Sequence, residues 1–533
     1  MTSFVRYGTA GFRDRAENLE TVMFRVGMLA VLRSKKKNGQ TIGLMITASH
    51  NPEGDNGVKL IDPFGEMLEQ SWEELATVLA NCDSDSLDKV VNNIVQEKQI
   101  DLSCSASVFV GQDTRSSSPR LSEIGINGIK YLNGDFKSFG IVTTPFLHYM
   151  VFCKNALRLN EPSVKDYNEK LLHAFKELNT CNNKTNGTYK AQVVLDGANG
   201  VGGLKVNELK DDLEDLLNIR IYNNGSGILN HRCGADFVKV QKKPPEGVPI
   251  EPNVRCLSFD GDADRLIYYY VDEENKFHLL DGDRIAILIA SYIIELIRNG
   301  NLDITLGIVQ TAYANGSSTD YISKVLKIPV AFSPTGVKHL HHKALEYDIG
   351  VYFEANGHGS VLFSERAEEK INFKAASLTA SNEEKKAAAR LNSLIKLTNQ
   401  TVGDALSDAL LVETVLKARD WDLREWEATY TDLPNRLLKV AVKDNTVIKT
   451  DYTEQVCLNP PALQTRINEI VSKVERGRSF IRPSGTEKVV RIYAEAATQE
   501  AADNLALNVA SAVYELADGD FRDGDMPGEQ TFE

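Results

Sequence analysis

Four short polar segments hold the residues whose types and spacing could do chemistry. Thr47-Ala48-Ser49-His50-Asn51-Pro52 follows the apolar run Ile42 to Ile46. A short strand ending in a polar, proline-terminated turn places a serine hydroxyl at the C-terminal edge of an open α/β sheet, where such sheets put their ligand chemistry, so Ser49 is a nucleophile candidate. The same residues also suit a plain turn, because Ser and Asn bond their own backbone and Pro restricts the residue before it. Asp260-Gly261-Asp262-Ala263-Asp264-Arg265 alternates three carboxylates, which extended backbone would direct to one side. Carboxylates so close repel, a divalent cation relieves the repulsion, and oxygen-only ligation favours a hard ion such as Mg2+. The alternative is a solvated acidic turn. An EF-hand shares the spacing but fails at the sixth and twelfth positions, which are Arg265 and Val271.

Arg482-Pro483-Ser484-Gly485-Thr486 offers a guanidinium fork, two hydroxyls and open backbone, a donor set for a phosphate dianion, and Arg491 on the next strand can approach the same anion. Its alternative is a turn with a surface arginine. Glu354-Ala355-Asn356-Gly357-His358 follows a strand with acceptors and donors of the kind that grip sugar hydroxyls, or with no more than a surface Glu–His pair. Two more cations stand near the serine in sequence: Arg13, in a glycine-containing segment suited to meeting an anion, and Lys59, in Asp55-Asn56-Gly57-Val58-Lys59. A serine, a carboxylate triad, a hydroxyl-reading loop and an anion clamp, one from each successive part of the chain, point to phosphoryl transfer on a sugar.

The elements that must position these loops read as βα alternation. Strands are expected at Val108–Val110, Gln192–Leu195, Leu257–Phe259, Leu266–Val271, Ile304–Val309, Ile349–Phe353 and Val489–Tyr493, with helices between them. The apolar run Ile285 to Ile297 is too short to cross a bilayer and reads as a buried helix. The polar segment Asn81 to Asp101 reads as a flexible insertion, Ser116-Ser117-Ser118-Pro119 as a helix cap, and Lys338 to His342 as a solvated helix start. The glycine-rich turn Asp196 to Gly203 matches neither dinucleotide nor P-loop spacing and is taken as structural.

Composition sets the frame. The 533 residues exceed one core, and 42% hydrophobic with 25% charged residues is ordinary for a globular protein. A net charge of −14 argues against nucleic acid or an anionic membrane as partner and leaves a small molecule. Seven scattered cysteines without a C-x-x-C pair read as reduced thiols, and the first residues lack a signal-peptide pattern, so the expected location is the cytoplasm. The pattern specifies no oligomeric state.

On Gly8-Thr-Ala-Gly-Phe-Arg13, Thr47 to Pro52, Asp260 to Arg265, Glu354 to His358 and Arg482 to Thr486, the chain resembles the α-D-phosphohexomutase family along essentially its whole length. In most of that family a G-x-D-x-R segment precedes the serine loop. Here Gly111-Gln-Asp-Thr-Arg115 follows it, as in the eukaryotic branch that acts on N-acetylglucosamine phosphates. The resemblance implies four domains around a central cleft: three α/β domains with mixed sheets (1–187, phosphoserine loop; 188–300, metal loop; 301–435, sugar loop) and a smaller C-terminal α+β domain (436–533, phosphate loop).

The resemblance further implies that Ser49 is carried as phosphoserine and, with Asp260, Asp262 and Asp264, ligates one Mg2+. His50, Arg13 and Lys59 would serve catalysis, with Arg265 near the transferred group. Glu354, Ala355, Asn356 and His358 would bind the sugar, and Arg482 to Thr486 with Arg491 the other phosphate. The substrate would be a small phosphosugar, with a hexosamine 1,6-bisphosphate as intermediate and activator. Some bacterial relatives have a histidine after Thr-Gly where this chain has Val337 after Thr335-Gly336, so their acid/base assignment does not carry over. The alternatives are a phosphoglucomutase/phosphomannomutase and a non-catalytic sugar-phosphate sensor; the intact serine loop and triad argue against the sensor.

Overall fold

A computed structural model of the chain describes residues 4–8, 11–159, 161–180, 187–484 and 488–517, so Gly485 and Thr486 of the expected phosphate loop lie outside the described residues. Strands β1 (Phe12–Arg15), β2 (Ile42–Ile46), β3 (Asp55–Ile61), β4 (Ser107–Gln112) and β5 (Asp135–Ile141) form a first mixed sheet in the order β1-β3-β2-β4-β5. β2 and β4 run parallel, and β3 pairs antiparallel with β2 and β1. Every residue of β2 is buried, as a strand covered on both faces must be. Helices Glu20–Lys36 and Ser118–Tyr131 pack against each other at glycine contacts: a Cβ on Gly128 would stand 1.9 Å from the carbonyl oxygen of Phe24. Only glycine permits that approach.

The second sheet, in the order β10-β9-β8-β6-β7, contains β6 (Gln192–Asp196), β7 (Asn218–Tyr222), β8 (Cys256–Phe259), β9 (Leu266–Val271) and β10 (Phe277–Leu280). The third, β12-β11-β13-β14, contains β11 (Leu306–Gln310), β12 (Val330–Phe332), β13 (Ile349–Phe353) and β14 (Gly359–Phe363). A hairpin of β16 (Lys449–Thr450) and β17 (Cys457–Asn459) accompanies the last sheet, the antiparallel β15-β19-β18 of β15 (Asn435–Ala441), β18 (Arg478–Pro483) and β19 (Val489–Glu495). The architecture is the expected one, three mixed-sheet α/β layers and a smaller α+β layer. Helix Gly282–Asn299 is almost wholly buried, and no described helix is long and apolar enough to cross a membrane.

The chain divides into two compact units. Unit 1 comprises the described residues of Met1–Asp281, Asn356–Val361 and Ala375–Leu423, and unit 2 those of Gly282–Ala355, Leu362–Lys374 and Arg424–Glu533. Unit 1 holds the first two sheets and unit 2 the last one, while β14 carries the chain from one unit to the other.

Two sequence expectations need correction. The segment Asn81 to Asp101 is not a loose insertion: Leu87–Glu97 is an amphipathic helix that buries Val91 and Ile94. Its polar residues hid an i, i+3 apolar pair. The start of helix Val337–Ala344 is not solvated either, since Lys338 and Leu340 are buried and His341 Nδ1 meets the Tyr352 hydroxyl at 3.0 Å.

Candidate active site

β2 ends at Ile46, and the loop beyond it turns through Ser49 in the left-handed region, φ +51°. A serine held there costs on the order of 1 kcal/mol, so the surroundings must fix it. They do so with hydrogen bonds to the loop's own carbonyls. Arg115 donates from Nη2 to the carbonyl oxygens of Ser49 (3.0 Å) and Asn51 (2.9 Å), and from Nη1 to that of Pro52 (2.7 Å). Its Nε meets Asp113 Oδ2 at 3.0 Å, with both side chains fully buried. Asp113 also accepts from Thr47 Oγ1 and Ser118 Oγ, and Thr47 Oγ1 in turn accepts the Ser49 N–H. From beyond β7, Asn230 Nδ2 donates to the same Ser49 and Asn51 carbonyls.

The G-x-D-x-R segment is therefore the mount of the serine loop. Ser116 to Pro119 do open a helix, with Ser117 at the N-cap position and Pro119 in the first turn, but Ser117 makes no side-chain cap bond, and Asn56 Nδ2 reaches both Ser117 and Ser118. The sequence signal for this mount was present in Asp113 and Arg115, but their partners lie more than sixty residues away.

Ser49 Oγ is buried and stands at a meeting of charges. It donates to Asp262 Oδ2 at 3.0 Å and accepts from Lys59 Nζ at 3.0 Å and Arg13 Nη2 at 3.1 Å. Lys59 also contacts Asp262 Oδ2 and Asp264 Oδ2, each at 3.2 Å. Burial pulls its ammonium down, but Asp262 and Asp264 outweigh that and leave it above its ordinary value, so Lys59 remains a cation.

The three aspartates do converge, with their ligand atoms within 4.8 Å of one another, but on a turn in which Ala263 has φ +59°. The extended alternation read from the sequence is corrected: a tight turn, not a strand, gathers the carboxylates. A Cβ on Gly261 would stand 2.5 Å from the Ser49 carbonyl oxygen, so the metal loop and the serine loop touch through a residue that cannot carry a side chain.

Each carboxylate commits one oxygen to the protein. Asp260 Oδ1 accepts the N–H groups of Asp264 and Arg265, Asp262 Oδ2 accepts from Ser49, Lys59 and Thr144, and Asp264 Oδ2 accepts from Lys59. The other oxygens, Asp260 Oδ2, Asp262 Oδ1 and Asp264 Oδ1, are buried without a hydrogen-bond partner. Three buried carboxylate oxygens held this close, with His358 and Arg265 approaching them, fit a hard divalent cation. Burial, then the neighbouring Asp264 and Asp262, push the Asp260 carboxyl well up. For Asp264 the burial effect is overcome by His358, Lys59 and Arg265, which hold it well below the usual range.

His50 lies among cations: Arg265, burial and Arg13 drive its imidazole well below the ordinary histidine value, and its Nδ1 is buried without a hydrogen-bond partner. Arg265 lies beside Asp260 and Asp264 at 3.9 and 4.0 Å. His358 sits in unit 1 with Nδ1 3.3 Å from Asp264 Oδ1, next to the triad. Asn356, also in unit 1, accepts the His358 N–H at its Oδ1, so Asn356 and His358 share the turn that follows β13.

In unit 2, Glu354 Oε1 accepts the Gly336 N–H at 3.1 Å, and the Ala355 carbonyl accepts from Gly282. Arg482 and Arg491 are direct cross-strand partners on β18 and β19, and Arg491 is likewise opposite Lys439 on β15. Like charges opposite one another on one face repel, which an anion relieves. Arg482 Nε donates to Glu454 Oε1 at 2.8 Å. Pro483 ends β18, and Ser484 is buried, with its carbonyl accepting from Asn445. Lys439 and Glu454 carried no motif signal in the sequence.

Comparison with known proteins agrees with this geometry. The family descriptions "Phosphoacetylglucosamine mutase AMG1" domain II and domain III match residues 161–267 and 281–421. "Phosphoglucomutase/phosphomannomutase" domain I and its C-terminal domain match residues 16–86 and 437–512. The phosphoacetylglucosamine mutase of Homo sapiens is 52% identical over 517 residues, covering 97% of this chain and 95% of that one. The structure of Aspergillus fumigatus N-acetylphosphoglucosamine mutase with GlcNAc-6P and magnesium is 47% identical, with a TM-score of 0.91 over 97% of this chain and 96% of that one. An N-acetylglucosamine-phosphate mutase in its substrate complex is 45% identical, with a TM-score of 0.91 and 96% of both chains covered. With motifs, fold and near full-length identity in agreement, the chain belongs to the phosphoacetylglucosamine mutase family of the α-D-phosphohexomutases.

Proposed function

We propose that the protein interconverts N-acetylglucosamine 6-phosphate and N-acetylglucosamine 1-phosphate, feeding UDP-N-acetylglucosamine synthesis in the cytoplasm. The observation that carries the reading is the meeting at Ser49 Oγ of Lys59, Arg13 and Asp262, beside three converging aspartates. A serine so placed accepts and returns a phosphoryl group.

In the forward half-reaction, the Oγ–P bond of phosphoserine 49 breaks and a bond forms between phosphorus and the free sugar hydroxyl, giving the 1,6-bisphosphate. The proton lost from the sugar hydroxyl ends on the released Ser49 Oγ, so the half-reaction closes with a free serine hydroxyl; His50, kept neutral by Arg265, burial and Arg13, belongs to the catalytic group as an uncharged neighbour of these oxygens. In the return, the bond between the other phosphorus and its sugar oxygen breaks as a bond to Ser49 Oγ forms, and the serine proton, which is donated to Asp262 Oδ2 in the resting site, ends on the released sugar hydroxyl. Lys59 and Arg13 neutralise the phosphoryl oxygens in both steps, which for phosphoryl transfer is most of the work. A Mg2+ held by Asp260, Asp262, Asp264 and the phosphoserine would add charge neutralisation there. Arg265 sits beside the transferred group, Glu354, Ala355, Asn356 and His358 belong to sugar recognition, and Arg482 to Thr486 with Arg491 hold the phosphate that is not being transferred. The partition at residues 187, 300 and 435 remains part of this proposal.

A substrate panel with Mg2+ and a trace of bisphosphate tests the reading. N-acetylglucosamine phosphates should turn over faster than glucose or mannose phosphates, and Ser49→Ala should be inactive with no added phosphate by intact mass. Equal or better turnover of the unacetylated sugars would favour a phosphoglucomutase or phosphomannomutase, and wild-type turnover by Ser49→Ala would remove the nucleophile.

A further inference from the structure

Glu454 stands at the tip of the β16–β17 hairpin with φ +60°, a conformation that resists a side chain. Asp451 builds the turn around it, accepting the N–H groups of Thr453, Gln455 and Val456. The carboxylate that this backbone delivers is divided between two loops. Oε1 accepts Arg482 Nε at 2.8 Å, while Oε2 accepts the Thr335 N–H at 3.0 Å and the Thr335 hydroxyl at 2.5 Å. The pair is mostly buried, with 22% of the Arg482 side chain and 15% of the Glu454 side chain exposed. One residue on from Thr335, the Gly336 N–H donates to Glu354. Two carboxylates therefore tie the phosphate loop, the Thr335-Gly336 loop and the sugar loop together inside unit 2.

We propose that Glu454 is a positioning residue for phosphate recognition: by holding Arg482 at Nε and Thr335 at both donors, it sets the guanidinium fork in register with the sugar-reading loop. This rests on the reading of Arg482 as a phosphate clamp. A guanidinium held at Nε by Glu454 and approached by Tyr313 is constrained in orientation, with its terminal nitrogens on the side away from Nε as the fork for an oxyanion. An arginine ordered before the ligand arrives loses less freedom on binding, which appears as affinity. A mutase that receives its phosphosugar in two orientations must present the same fork to a 6-phosphate and to a 1-phosphate, so the effect belongs to both directions.

The test compares Glu454→Ala, Glu454→Gln, Arg482→Ala and the double variant Glu454→Ala/Arg482→Ala in the full-length enzyme, assayed from each phosphosugar. Glu454→Ala should raise KM about tenfold in both directions with kcat within about threefold of wild type. Glu454→Gln keeps an acceptor for Arg482 Nε but turns an amide NH2 toward the Thr335 N–H, so it should recover only part of that loss. The double variant should be no worse than Arg482→Ala alone, because the two residues act as one unit. If Arg482→Ala is silent, the clamp reading fails. If Arg482→Ala is impaired while Glu454→Ala is silent, or lowers KM, or multiplies with it, the clamp stands and the positioning role of Glu454 is overturned. A loss in Glu454→Ala that falls on kcat alone overturns it as well.

Discussion

The guanidinium of Arg115 donates to the carbonyl oxygen of Ser49 over 3.0 Å, so the candidate nucleophile is held through its backbone by a residue that does not touch its hydroxyl. Arg115 makes three such bonds and is neutralised by Asp113. Removing one partner of a buried ion pair leaves the other uncompensated, at a cost of about 3–5 kcal/mol. Arg115→Met should lower the melting temperature and cut kcat, and Arg115→Lys should restore part of the stability but less of the rate, since an ammonium cannot span the three carbonyls. Equal recovery of both by Lys would show that Arg115 supplies charge only.

Lys59 is the cation nearest the serine hydroxyl that also contacts the triad. Lys59→Met should reduce kcat by roughly 100-fold to 1000-fold, the usual effect of deleting one preorganised donor to a developing oxyanion. Single-turnover dephosphorylation of phosphoserine 49 would measure it. A change confined to KM would place Lys59 in ground-state binding.

Asp262 gives Oδ2 to three donors and keeps Oδ1 without a hydrogen-bond partner. Asp262→Asn should abolish metal-dependent turnover while costing little stability, because it removes one of three mutually repelling charges. Chelator should inactivate the wild type reversibly, with Mg2+ restoring activity. Activity that persists in chelator would show that the orphaned oxygens do not hold a functional cation.

His148 is fully enclosed, and burial lowers its pKa from 6.5 to about 4, against the pull of its Nδ1 contact with the Gly65 carbonyl. Between those values the unfolded chain binds the extra proton and the folded chain does not. The stabilising preference for neutral imidazole is therefore complete above pH 6.5 and lost as pH falls toward 4, on the order of 3 kcal/mol in all. Chemical denaturation across that range should show a shallower acid slope for His148→Gln than for the wild type. An unchanged slope would assign the acid sensitivity to other groups.

Local sequence determined the chemistry and the order in which it is delivered. An apolar five-residue run followed by a polar loop specifies β2 and the place of Ser49, because burial on both faces and a proline stop are local properties. Three aspartates within five residues specify a mutual repulsion that cations, solvent or protonation must relieve, whatever the fold. What tertiary structure alone decided is which oxygen of each carboxylate stays open, since the choice is made by partners as distant in sequence as Lys59 and Thr144. It also decided that Gly111 to Arg115 carries the serine loop, and that Glu454, on a hairpin without any motif, reaches Arg482 and Thr335. Hydrogen bonds between loops depend on where sheets bring their ends, and side-chain periodicity along one strand or helix carries no record of that.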